Sequence, residues 1–309
     1  MCPILPDFPS RGKNYRKRGM MGLYYRCRNA MHIILDPEWH QLLQTPESDW
    51  SLSEAALLVA QQLQPELDRQ QYRRKLEDMV ATLAVRVDLA STVQAKLAQL
   101  NRYFYDELGF IGNAADYYNP ENSYLNKVLD YHRGIPITLS LLYMKLADAI
   151  GLDVMGVNFP GRFLVAMIID DDRKIIDPYD QGKLLDRAGL LALLKSAGAD
   201  KHPGDGLDSY LVPTTNRIFL VRLLRNLKNI FIEQQNVESG MIVIEMILSL
   251  LPESPDELRD RGMIYHHIGY ASGALVDLQR FLVLQPDTTE RTVIEAMIKS
   301  LEQQDTPLH

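Results

Sequence analysis

A chain of 309 residues is long enough for one large or two modest domains, each with a buried core. Hydrophobic residues make up 46% and charged residues 24%, with 18 Gly and 16 Pro, which excludes collagen-like, low-complexity and wholly disordered chains. The longest stretch free of Asp, Glu, Lys and Arg, 262–276, carries His266, His267 and glycines, so no segment is apolar enough for a membrane span.

The net charge of −7 is unevenly spread. Arg11, Lys13, Arg16, Lys17, Arg18, Arg26 and Arg28 stand against Asp7 alone, so residues 31–309 are more acidic than the whole. An acidic body lacks the clustered cations that neutralise phosphates, and no nucleic acid is expected for it. Residues 1–30 read as a basic flexible leader, with Met20, Met21 and Met31 as alternative translation starts. The apolar run Met20 to Tyr25 is too short for a signal peptide, and secretion is not predicted. Cys2 and Cys27 both fall in this leader, leaving no thiol between residues 31 and 309. That removes core disulfides, multi-cysteine zinc sites and every cysteine nucleophile from the body, and fits a reducing, cytoplasmic setting.

From Ser51 to Leu100 apolar residues recur at helical intervals: Ala56, Leu57, Val59, Ala60 and Leu63, then Leu76, Met79, Val80 and Leu83, then Val93, Leu97 and Leu100. Ser51 or Ser53 with Glu54 marks a helix start and Pro65 an interruption. Between Leu108 and Asn126 glycine, asparagine and tyrosine predict an ordered loop wrapped over a core. A helix from Ile137 to Ile150 follows, opened by Pro136 and closed by Gly151. It is apolar nearly all round and therefore central. Strands are predicted at 154–157, 163–169 and 174–176, with Asp170-Asp171-Asp172-Arg173 as a hairpin turn. Residues 178–215 read as loops with one short helix around Leu190 to Lys195.

From Asn216 a helical pattern repeats with a period of 34 residues, pairing Ile230 with Ile264, Phe231 with Tyr265, Ile247 with Phe281, Leu250 with Leu284 and Pro252 with Pro286. This is the tetratricopeptide spacing. The second unit carries Gly262, Tyr265, Ala274, Phe281 and Pro286; the first has Lys228 and Gly240 where glycine and alanine would stand. Residues Thr289 to Gln303 read as a capping helix.

Glycine, proline, a buried helix, then strands ending in Asp177-Pro178 resemble the core of transglutaminase and papain-like cysteine hydrolases. The resemblance implies a cysteine at the N-terminus of the central helix, a histidine on a following strand and an acid on the next. Here the nucleophile position falls on Ile137 or Thr138, the histidine position on Arg162, and only Asp177 keeps the expected residue. Arginine stays protonated and cannot act as a general base.

The runs Gly109-Phe110-x-Gly112-Asn113, Asp116 to Leu129, Arg133-Gly134-Ile135-Pro136-Ile137-Thr138, Gly156-Val157-Asn158-Phe159-Pro160-Gly161, Leu224-Arg225-Asn226-Leu227-Lys228 and Leu258-Arg259-Asp260-Arg261-Gly262 resemble the bacterial SirB family over roughly residues 45–300. The resemblance implies a transglutaminase-like domain joined to a short tetratricopeptide region, in a cytoplasmic protein described as a regulator or as a repeat protein. It also implies histidine where this chain has Arg162.

The expected fold is therefore α+β and mostly α, with a leader 1–30, a transglutaminase-like domain with N-terminal helices over 31–212, and repeats with a cap over 213–309. Thr138 reads as a helix-start residue bonding local backbone, with a hydroxyl nucleophile as the alternative. Arg162 and Asp177 read as an ion pair replacing a histidine–aspartate hydrogen bond. His132 is a second candidate base, against a turn-packing role. Adjacent His266 and His267 lack metal-ligand spacing, no phosphate loop occurs, and no cofactor is expected. Asn226, Asn229 and Arg259 are candidate contacts for a protein or peptide partner on the first helices of the repeats; Tyr265 reads as core. The function expected is a non-catalytic interaction or regulatory protein; the alternative is a hydrolase or acyltransferase with a non-cysteine nucleophile.

Overall fold

The computed structural model describes residues 33–88, 91–170, 172–199 and 206–304. The basic leader and its two cysteines lie outside the described residues. The described residues divide into two compact units, 36–227 and a repeat unit of 33–35 with 228–304.

The first unit opens with α1 (Pro37–Gln44), α2 (Leu52–Leu63), α3 (Arg69–Arg86) and α4 (Val93–Asn101), the last running into a π-helical segment Arg102–Glu107. Each start has a side-chain cap, among them Ser51 Oγ accepting from Glu54 N–H and Asp68 from Gln70 and Gln71 N–H. Pro65 falls in the break between α2 and α3. The glycine- and tyrosine-rich segment holds a two-residue strand β1 (Ile111–Gly112) and a 3₁₀ turn Pro120–Asn122. It gives way at Leu125 to α5 (Leu125–Tyr131), so the loop ends two residues earlier than the composition suggests. Strand β2 (Arg133–Gly134) pairs parallel with β1.

The central helix α6 (Pro136–Ala149) buries Pro136 to Tyr143, Leu146 and Ala147. Gly151 supplies the positive φ of 68° that turns the chain out of it. Beside α6 lies a four-stranded antiparallel meander of β3 (Val154–Phe159), β4 (Arg162–Ile169), β5 (Asp172–Asp177) and β6 (Lys183–Leu185). Asp170, at φ 54°, sits in the β4–β5 turn. Strand β6 has only three residues and no alternating pattern to announce it. Val157, Phe159, Leu164, Ala166 and Ile175 form a core cluster with Leu190 and Leu194 of α7 (Arg187–Ser196) and with Leu207.

Helix α8 (Asn216–Glu233) carries the division between the units at Leu227/Lys228. The repeat unit continues with α9 (Val237–Leu250), α10 (Pro255–His267), α11 (Ala271–Leu284) and α12 (Arg291–Gln304). Tyr265, Ala274, Leu278 and Phe281 build its core with Met241, Ile294 and Leu301, and Ile33 packs against them. Gly262 lets α11 approach α10 closely: a Cβ there would stand 2.9 Å from Leu278 Cγ and Cδ2. The fold is α+β and mostly α, as the residue patterns lead one to expect.

Candidate functional site

Of the two aligned nucleophile positions, Ile137 is a buried alkyl group and Thr138 a buried hydroxyl with no exposure. Thr138 Oγ1 lies 2.8 Å from the carbonyl oxygen of Asn122, 3.1 Å from that of Ile135, and accepts from Ile135 N–H at 3.1 Å. Its one proton is thus taken by backbone carbonyls. Asn122 in turn donates to the Asp116 carbonyl at 2.6 Å and accepts from Asn113 Nδ2 at 2.9 Å. Thr138 therefore pins the 113–124 loop to the start of α6. Gly134 is fitted to this contact, since a Cβ there would fall 2.6 Å from Thr138 Oγ1. Ser140 donates to the Phe163 carbonyl at 3.1 Å. His132 caps α5 in the left-handed region at φ 53°, its ring 4.9 Å from that of Phe110.

Arg162 and Asp177 come together at the ends of β4 and β5. Arg162 Nε is 3.4 Å from Asp177 Oδ2, an ion pair without hydrogen-bond alignment, and the guanidinium lies 4.6 Å over the ring of Tyr179. Asp177 Oδ1 accepts from the N–H groups of Tyr179 and Asp180 at 3.0 and 3.3 Å. Burial pushes the Asp177 carboxyl up from its ordinary range, and Arg162 and the two N–H groups pull against it. With those bonds the carboxylate is occupied as a turn cap and counter-ion, and among the described residues the bonds of the Thr138 hydroxyl go to backbone groups.

Aromatic side chains shape the rest of this end. Gly112 leaves room for Tyr179, whose ring atoms would lie 2.5 Å from a Cβ at that position. The ring of Tyr117 meets that of Tyr179 edge-on at 6.4 Å. Tyr105 donates to the Pro178 carbonyl at 3.1 Å, and Tyr143 to Asn101 Oδ1 at 2.7 Å. Arg222, on α8 within the first unit, donates from Nη1 to Asn158 Oδ1 at 2.7 Å. Burial holds the Arg222 guanidinium below its ordinary pKa, with Arg225 adding to the effect. Tyr117, Tyr179 and Arg222 were not among the residues singled out from sequence; their only signal was a tyrosine-rich loop and arginines three apart on an amphipathic helix.

Among the candidate partner contacts, Asn226 is half-buried in the first unit and Asn229 is exposed in the repeat unit. Arg259 is held by Asp260 at 2.8 Å and Glu290 at 3.2 Å, so its guanidinium is committed within the repeat unit. Tyr265 is 8% exposed and belongs to the core. At the degenerate glycine position, Lys228 Nζ is 2.7 Å from both Glu257 Oε1 and Asp260 Oδ2, and all three side chains are buried. Arg261 similarly joins Glu245 at 3.0 Å to Asp277 at 2.7 Å.

Two family models match the chain: the transglutaminase-like superfamily over residues 70–225 and the tetratricopeptide repeat over residues 227–299. A UPF0162 protein of Xylella fastidiosa is 34% identical over 277 residues, which cover 89% of this chain and 99% of the relative. The chain belongs to the SirB1/UPF0162 family. Protein SirB1 of Salmonella typhimurium is 26% identical over 259 residues, covering 84% of this chain and 95% of that protein. A UPF0162 protein of Vibrio cholerae is 25% identical over 254 residues, covering 81% and 92%. No solved structure matches the chain. The family assignment explains why a transglutaminase-like sheet and central helix precede tetratricopeptide helices in one chain.

Proposed function

We propose that this chain is a non-catalytic, cytoplasmic interaction protein with a regulatory role, in which the transglutaminase-like unit is a scaffold and the repeats meet a protein or peptide partner. The observation that carries this reading is at the start of α6. No thiol is present in the body, the aligned hydroxyl of Thr138 is buried and bonded to the Asn122 carbonyl, and Arg162 stands where a base would be needed. Tetratricopeptide helices present extended surfaces suited to a peptide or protein partner. Asn229 is an exposed position on the first helix of the leading repeat.

The test uses the full chain. Immobilised wild-type protein and an Asn229→Arg variant are compared for capture of partners from lysate of the producing bacterium, quantified by mass spectrometry, beside an assay of ester and amide turnover. A partner lost in the variant, with no turnover, supports the reading. Turnover abolished by Thr138→Ala overturns it in favour of an acyl-transfer enzyme.

A further inference from the structure

The Arg162 end of the first unit has more positive charge and more free donors than the protein itself uses. Positions 158 and 163 are cross-strand partners in β3 and β4, as are 159 and 162, so Asn158, which holds Arg222, and Arg162 flank one tight turn. Asp177 is the only carboxylate within ion-pair distance of either arginine among the described residues. Asp180, the next acid along, turns to Lys183 at 3.6 Å. The terminal nitrogens of Arg162, and Nε and Nη2 of Arg222, have no hydrogen-bond partner among the described residues, and neither do the hydroxyls of Tyr117 and Tyr179.

Ring contacts and one hydrogen bond place these groups at the same end of the sheet. Arg162 stacks on Tyr179, Tyr179 meets Tyr117 edge-on, and the fields of both Arg162 and Arg222 reach the Tyr117 hydroxyl, opposing the effect of its burial. Asp177 pairs with Arg162, and Arg222 has no carboxylate within ion-pair distance among the described residues, so its charge is left for a further anion. Planar, fork-shaped donors with phenol hydroxyls beside them match the acceptors of a carboxylate or phosphate.

We propose that Arg162, Arg222, Tyr117 and Tyr179 form an oxyanion site at the β3–β4 turn end of the transglutaminase-like unit, taking a carboxylate or phosphate group of a ligand. No bond is made or broken there: the anion is held by charge-assisted hydrogen bonds. The site goes beyond the partner surface proposed on the repeats and does not rest on it. A chain that loses its partner through Asn229→Arg and still binds the anion separates the two.

The experiment is an NMR titration of the full chain at low ionic strength, following arginine Nε–Hε resonances, with inorganic phosphate in one arm and acetate in the other. The expected result is a saturable response from Arg162 and Arg222, with the tighter-binding probe identifying the ligand group as phosphate or carboxylate. Arg222→Gln, which leaves the Arg162–Asp177 pair in place, should weaken binding about tenfold or more, the size of one charge-assisted hydrogen bond. Tyr117→Phe, which keeps both arginines, should weaken it by a smaller factor and serves if Arg222→Gln fails to fold. A response that does not saturate with either ion overturns the proposal, and so does affinity unchanged in the variants.

Discussion

Replacing Lys228 by methionine removes the cation from a buried triad while keeping the length of its apolar stem. Glu257 is wholly buried and would lose its cation while keeping the hydroxyl of Ser254, and Asp260 would keep Arg259 at 2.8 Å. The variant therefore leaves two buried carboxylates, Glu257 and Asp260, without the cation that joins them. Breaking a buried pair from one side costs about 3–5 kcal/mol, a large share of the ~5–15 kcal/mol that hold a domain folded. Adding Glu257→Gln removes one of those two charges, so the double variant should recover at least about 1.5 kcal/mol of that loss. The assay is urea denaturation of the full chain followed by helical circular dichroism, fitted with separate transitions if the two units unfold separately. The pH dependence has a definite sign. Burial alone would lower the Lys228 pKa, but Asp260 and Glu257 outweigh it and hold it above the ordinary 10.5. The stabilisation is thus fully present below 10.5 and is lost as pH rises through the folded value. The gap between wild type and Lys228→Met should stay constant from neutral pH to about 10 and narrow above it. A single-variant loss under about 1 kcal/mol, or a double variant no more stable than the single, would refute the reasoning.

Other expectations follow from the same geometry. Thr138→Val should cost about 1–3 kcal/mol and raise amide exchange across residues 113–124, because Asn122 O and Ile135 N–H lose their buried partner; Thr138→Ser should not. Arg162→Ala should lower thermal stability by leaving the 2% exposed Asp177 with its two backbone donors alone, at a cost of about 1–3 kcal/mol, and unchanged melting would count against the ion pair. Gly262→Ala should destabilise the repeat unit by about 1–3 kcal/mol despite the helix propensity gained, since its methyl would meet Leu278 at 2.9 Å; a higher melting temperature would contradict this. Burial acts to raise the Glu47 pKa, but backbone and side-chain bonds from Arg217 and Thr215 bring it below 4.5. Its contribution is present above pH 4.5 and lost as pH falls through the folded value, so Glu47→Gln should flatten the acid limb of a stability–pH curve.

Much of the candidate site was legible in the residues. Gly134-Ile135-Pro136 opening a helix apolar nearly all round required a central element, and the absence of any thiol after Cys27 removed a cysteine nucleophile from its N-terminus before any fold was known. The 34-residue recurrence of Ile230, Phe231, Ile247 and Leu250 specified paired helices, because such spacing keeps the same residue on the same buried face in each repeat. Local pattern could not show which partners a polar residue finds across the chain. Thr138 meets Asn122 sixteen positions away, Arg222 meets Asn158 sixty-four away, and Lys228 meets two acids on a helix that begins twenty-seven residues later. Strand β6, three residues long, owes its existence to pairing with β5 rather than to any period of its own. Periodicity records which faces are buried, since hydrophobic burial is non-directional and repeats with the element. Hydrogen bonds and ion pairs depend on the distance and direction between groups far apart in sequence, and only the folded chain sets those.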